Sequence, residues 1–140
     1  MDGRAEVLNA GLAPAPAAPG LGCDPVLDKA RWVREWFWCG YRDRAGDDAY
    51  LLAQEQRVIF GGKDGVIGCE SSWQTVTSGP HLGLAQFSPD TWAKARRAPD
   101  ADWRDPYEQG WAVAAWIAAI RGREGTTSGW PHCWWVGGGP

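Results

Sequence analysis

The chain is short of the residues that several function classes need. Two histidines and four cysteines among 140 residues, with no Cys-x-x-Cys pair, match no zinc spacing. No metal and no other cofactor is therefore expected, and His132 reads as a surface histidine in a Pro turn, with a hydrogen bond to substrate as its alternative. No run approaches the roughly 18 apolar residues that a membrane helix requires, so no membrane span is expected. Lys and Arg number 14 against 17 Asp and Glu, a net charge of −3. That balance lacks the basic surplus of a nucleic-acid binder. Ser71 and Ser72 lack the Gly-x-Ser-x-Gly elbow of a serine hydrolase. Met1-Asp2-Gly3-Arg4-Ala5-Glu6 has no basic stretch leading into an apolar core, so it does not read as a secretory signal peptide.

Phe and Tyr are also scarce, at three each, but Trp is not: there are 11. An indole is large and its N–H needs a partner when buried. A small domain with this many Trp is expected to use about seven as core anchors and to set three or four along a groove. The length fits one domain with a modest core. Residues 1–22, with Ala13-Pro14-Ala15-Pro16-Ala17-Ala18-Pro19-Gly20, read as a Pro/Ala-rich tail. The domain is expected over 23–136, and Gly137-Gly138-Gly139-Pro140 as a Gly-rich flexible end.

The signals inside the domain are helical. Asp24-Pro25 is a helix start, with Trp32, Val33, Trp36 and Phe37 as the apolar face and Gly40 as the stop. Asp47 or Asp48 opens a second helix to Phe60, ending at Gly61-Gly62. Ser88-Pro89 opens a third, to about Arg97. Asp105-Pro106-Tyr107-Glu108 resembles a capping box and opens a fourth, to about Arg121. In that helix Trp111, Ala114, Ala115 and Ala118 form one apolar stripe, and Val113, Trp116, Ile117 and Ile120 another. A helix apolar on two faces is a central one. No segment shows strand alternation. The expected fold is mainly α, with a loop-rich stretch at 61–87 that has room for a short hairpin.

The chemistry concentrates in Cys69-Glu70-Ser71-Ser72-Trp73 and, ten residues on, Gly83-Leu84-Ala85-Gln86-Phe87-Ser88-Pro89-Asp90-Thr91-Trp92. A Glu in apolar company keeps its proton, because desolvation disfavours the anion. That suits a general acid near neutral pH. Trp faces suit the apolar C–H faces of sugar rings. The ordered set Cys-Glu-Ser, Trp, Gly-Leu-Ala-Gln-Phe, Thr-Trp, Asp-Pro…Gln and Gly-Trp-Pro-x-Cys resembles the lysozyme-like superfamily. Within it, the set is similar to soluble lytic transglycosylases and actinobacterial resuscitation-promoting factors, over roughly 47–135. The resemblance implies a small lysozyme-like helical domain with a peptidoglycan cleft. It implies a glycosidase, lytic transglycosylase or muramidase, that opens the β-1,4 bond between N-acetylmuramic acid and N-acetylglucosamine. Position by position it gives Glu70 as the catalytic acid/base, and Gln86, Thr91, Gln109, Trp73 and Trp130 as substrate-binding residues. It also implies a disulfide between Cys69 and Cys133.

Cys23 and Cys39 would be the remaining pair. A helix between them would be roughly 20 Å long at 1.5 Å per residue, too long to bridge end to end. Either the helix is shorter, Cys23 folds back, or the pair stays reduced. Disulfides imply an oxidising compartment: outside the cell, in the wall, or in a virion, reached by phage lysis, by packaging or by removal of a leader. The expected partners are peptidoglycan glycan strands and, where the chain is one part of something larger, a virion assembly.

The chain departs from the family in Gly61-Gly62-Lys63-Asp64-Gly65-Val66-Ile67-Gly68, a Gly-rich loop where the usual arrangement runs a helix straight into the Glu. That departure favours the alternative reading, a catalytically weak lysozyme-like module that binds glycan or builds a phage tail. Most glycosidases use two carboxylates. Asp90 and Asp105 stand where helix starts want acids, and Asp102 reads as solvated. A single Glu, helped by the sugar's own acetamido group, is the expected scheme. Lys94, Arg96 and Arg97 read as a solvated helix end.

Overall fold

The computed structural model describes residues 33–137, together with two short extended stretches, Asp2–Arg4 and Glu6–Val7. Apart from those two stretches, the expected tail at 1–22 lies outside the described residues, as do the Asp24-Pro25 helix start, Cys23 and residues 138–140. Among these, six α-helices make a small, mainly α domain: α1 (Val33–Ala45), α2 (Ala49–Glu55), α3 (Gly65–Ser71), α4 (Pro89–Ala95), α5 (Pro106–Ile120) and α6 (Cys133–Gly137). None of them is long and apolar enough to cross a membrane.

The framework is α1 packed on α5, and two glycines set how close they come. A Cβ at Gly40 would lie 2.0 Å from the Tyr107 carbonyl oxygen, and one at Gly110 would lie 1.9 Å from that of Phe37. Backbone therefore meets backbone at the crossing. Gly40 does not stop α1, as the sequence suggests; the helix runs five residues further, because this glycine answers a neighbouring helix and not a chain reversal. Around the crossing, Phe37, Tyr41, Val113, Ala114 and Ile117 are fully buried. The Tyr41 hydroxyl donates to the Leu51 carbonyl at 2.6 Å, which ties α2 to this core.

The helix starts follow the sequence closely. Asp48 accepts from the Tyr50 and Leu51 amides, Ser88 from that of Thr91, and Asp105 from that of Tyr107. The capping box at Asp105 is not closed by Glu108. That side chain is buried and takes a bidentate pair from Arg97, with N–O distances of 3.1 and 2.6 Å. Arg97 is thus ion-paired while staying exposed, and Lys94 stays exposed beside Asp90 at 3.0 Å. On α5 the Val113–Ile117–Ile120 stripe is buried, while Trp111, Ala115, Trp116 and Ala118 are half-buried. The central-helix reading thus holds at all but Trp116 of one stripe and, of the other, at Ala114.

The expected second helix keeps its length, but it widens into a π-helical turn over Gln56–Phe60 before Gly61. The expected Gly-rich loop then shrinks to 61–64, since Gly65–Ser71 is α3. A Cβ at Gly65 would stand 2.3 Å from the Val58 carbonyl oxygen. This glycine lets α3 pack on the π-turn, so it is a close-contact residue and not a flexible one. Gly137, expected in a loose end, is the buried last residue of α6. The stretch 72–87 is loop-rich as expected, and its hairpin is a single antiparallel bridge, Leu82 with Phe87.

Candidate active site

Short α3 carries Glu70 one residue after Cys69, and Cys69 is bonded to Cys133 of α6 with their Cα atoms 5.5 Å apart. The chain runs through left-handed backbone on both sides of α3: Lys63, Asp64 and Gly65 before it, Ser72 and Trp73 after it. Four of these five are not glycine, and each costs energy in that region. The helix carrying Glu70 is thus held by sharp turns at both ends and by a covalent bond. Cys39 is also disulfide-bonded.

Glu70 is half-buried and has no hydrogen-bond or ion-pair partner among the described residues. Desolvation alone moves its pKa, from 4.5 up to about 7. It lines a cavity of about 600 Å³ with Ser71, Gln74, Val76, Thr77 and Gln86 among its neighbours. A second, smaller cavity of about 140 Å³ is lined by Gln86, Thr91, Trp116, Ser128 and Trp130. Gln86 borders both, so one side chain links the pocket of Glu70 to that of Thr91 and Trp130. Among the described residues, no carboxylate besides Glu70 lines either cavity. Asp105 caps α5 and accepts from the Trp36 indole at 3.1 Å. Asp90 pairs with Lys94, and Asp102 with Arg104 at 2.9 Å.

Of the expected substrate-binding residues, Gln86, Thr91 and Trp130 reach a cavity and two others do not. Gln109 is fully buried. Its Oε1 accepts from the Ala85 amide at 3.0 Å, and its Nε2 donates to the Leu82 and Trp103 carbonyls at 3.2 and 2.9 Å. It braces the Gly83–Gln86 turn from behind, so it is corrected from a substrate contact to a support. Trp73 is half-buried and stands apart from both of these cavities. It donates to the Asp64 carbonyl at 3.1 Å, meets Phe37 edge-on and carries the Arg34 guanidinium over its ring. Trp130 serves both roles: only 4% exposed, it donates to the Ala85 carbonyl at 2.9 Å while its edge closes the smaller cavity. Of the indoles, Trp116 and Trp130 line the smaller of these two cavities, while Trp135 is 63% exposed. His81 also borders the smaller cavity, and His132 is exposed.

The residue missed by sequence reasoning is Thr77. Its Oγ1 accepts from the Gly83 amide at 3.2 Å and from Gln86 Nε2 at 3.0 Å, and it donates to the His81 carbonyl at 3.2 Å. A Thr in a polar run gives no periodic or motif signal, which is why it passed unmarked. No group of three or more His, Cys, Asp or Glu able to hold a metal occurs among the described residues.

In comparison with protein-family models, curated proteins and solved structures, the chain has no match.

Proposed function

We propose that this protein is a peptidoglycan-cleaving glycosidase of the lysozyme-like kind, with Glu70 as its single acid/base. The observation that carries the reading is Glu70 itself: unpaired, desolvated, held near pKa 7 and facing an open cavity. A carboxyl in that state still carries a proton near neutral pH and can give it to a glycosidic oxygen. The bond between N-acetylmuramic acid and N-acetylglucosamine then breaks toward an oxocarbenium ion. Among the described residues Glu70 is the one carboxylate in the two cavities, which supports a substrate-assisted scheme, one of the exceptions to the two-carboxylate rule. In it the sugar's 2-acetamido oxygen stabilises the cationic carbon. The Glu70 carboxylate next takes a proton back, from the sugar's own 6-hydroxyl to give a 1,6-anhydro ring, or from water to give a reducing end. Gln86 lies between the cavities, where a glycan strand crosses from Glu70 toward Thr91 and Trp130. The disulfide fits an oxidising site of action such as a cell wall or a virion.

The test is a digest of purified peptidoglycan with wild type and Glu70→Gln, soluble products being read by mass spectrometry. Anhydro-muropeptides from wild type alone establish a lytic transglycosylase, and reducing ends a muramidase. Loss of the acid is expected to lower the rate at least about 100-fold. Sacculus binding with no release by either protein overturns catalysis in favour of a glycan-binding or structural module.

A further inference from the structure

Gln86 borders both cavities, and the direction in which its amide faces is not set by chance. Its backbone is left-handed, with φ +56°, which turns the side chain out of the hairpin. Both Nε2 protons are then used, one toward the Gly83 carbonyl at 2.9 Å and one toward Thr77 Oγ1 at 3.0 Å. The Gly83 carbonyl can only accept, which fixes nitrogen and not oxygen on that side. Oε1 is left with no protein partner among the described residues. The Thr77 hydroxyl is equally committed: one donor and two acceptor sites meet the His81 carbonyl, the Gly83 amide and Gln86 Nε2. It has no capacity left for a ligand while this network stands. The same hydroxyl is the cross-link between the exposed wall of the cleft, 74–81, and the buried turn braced by Gln109.

From this we infer that Thr77 is a positioning residue: it holds the Gln86 amide with Oε1 toward the cleft, so that the site presents a fixed acceptor to an amide N–H of an N-acetylated sugar. The step to an N-acetylated sugar rests on the glycosidase reading; the hold of Thr77 on Gln86 does not. Substitutions separate the roles. Thr77→Val keeps the shape and removes all three bonds. Thr77→Ser keeps the hydroxyl. Gln86→Ala removes what is being positioned.

Two measurements on the full chain decide it. In the ¹⁵N–¹H spectrum of the free protein, the Gln86 side-chain amide pair is expected to move toward the positions of a solvent-exposed amide in Thr77→Val, and to stay in place in Thr77→Ser. In peptidoglycan digestion, Thr77→Val is expected to lose 10- to 100-fold in kcat/KM and Thr77→Ser less than 3-fold. The Thr77→Val/Gln86→Ala double variant should be no slower than Gln86→Ala alone, because coupled residues do not add. An unmoved Gln86 amide signal in Thr77→Val overturns the inference, and so do losses that multiply in the double variant. A wild type that cuts no peptidoglycan overturns the glycosidase reading, while the amide signals still judge the hold of Thr77 on Gln86.

Discussion

Glu70 carries two consequences that share one cause. Its pKa is raised from 4.5 to about 7, so the folded chain keeps a proton that the unfolded chain has released between those values. Stability therefore falls as pH rises through that window; the penalty is absent below pH 4.5 and complete above 7. Glu70→Gln removes it. The variant is expected to match wild type at pH 4 and to exceed it by about 1 kcal/mol at pH 8, allowing for screening at a half-exposed group. Urea titrations at the two pH values measure this. Wild-type kcat/KM is expected to decline tenfold per pH unit well above 7, as the acid form disappears. At this scale the sequence was legible where chemistry is local: a Glu among apolar neighbours announced its own desolvation. It was illegible for Gln109 and Thr77, because an amide or a hydroxyl looks the same in sequence whether it meets a ligand or the protein's own groups, 4 to 9 residues away for Thr77 and up to 27 for Gln109.

Helices were legible through their first turns, since Asp48, Ser88 and Asp105 cap the elements they were expected to open. Glycines were misread, because sequence shows a missing side chain but not what fills its place. Gly40 and Gly110 are occupied by each other's helix. Gly40→Ala, a good change for an isolated helix, is therefore expected to destabilise by about 3 kcal/mol or more through overpacking, in a chemical denaturation with unchanged m-value. The same change at Gly46, where a Cβ meets nothing within 4 Å, is expected to cost less, its penalty coming only from the positive φ. The short α3 was missed for the same reason, as Gly65 and Gly68 disguised a packed helix as a loop.

At the scale of the described residues the molecule is a helical scaffold, α1 with α5, on which the corner that carries Glu70 is pinned by the bond from Cys69 to Cys133. Closing a 64-residue separation stabilises by roughly 4 kcal/mol in the chain-entropy model. The Cys69→Ala/Cys133→Ala variant is expected to melt well below wild type, as followed by circular dichroism. The mainly α class was legible from period and caps alone, and the meeting of Glu70 with Gln86 was legible only through the motif, since 16 residues of loop and turn separate them. The bond has one more consequence. Every described residue lining either cavity falls between Cys69 and Cys133 in the chain, so this part of the cleft lies inside one covalent ring. Its most accessible wall includes Val76, 62% exposed, where thermolysin is expected to cut. A molecule nicked there would run as a single band without reductant and as two fragments with it: a clipped chain whose pieces stay together until the disulfide is reduced.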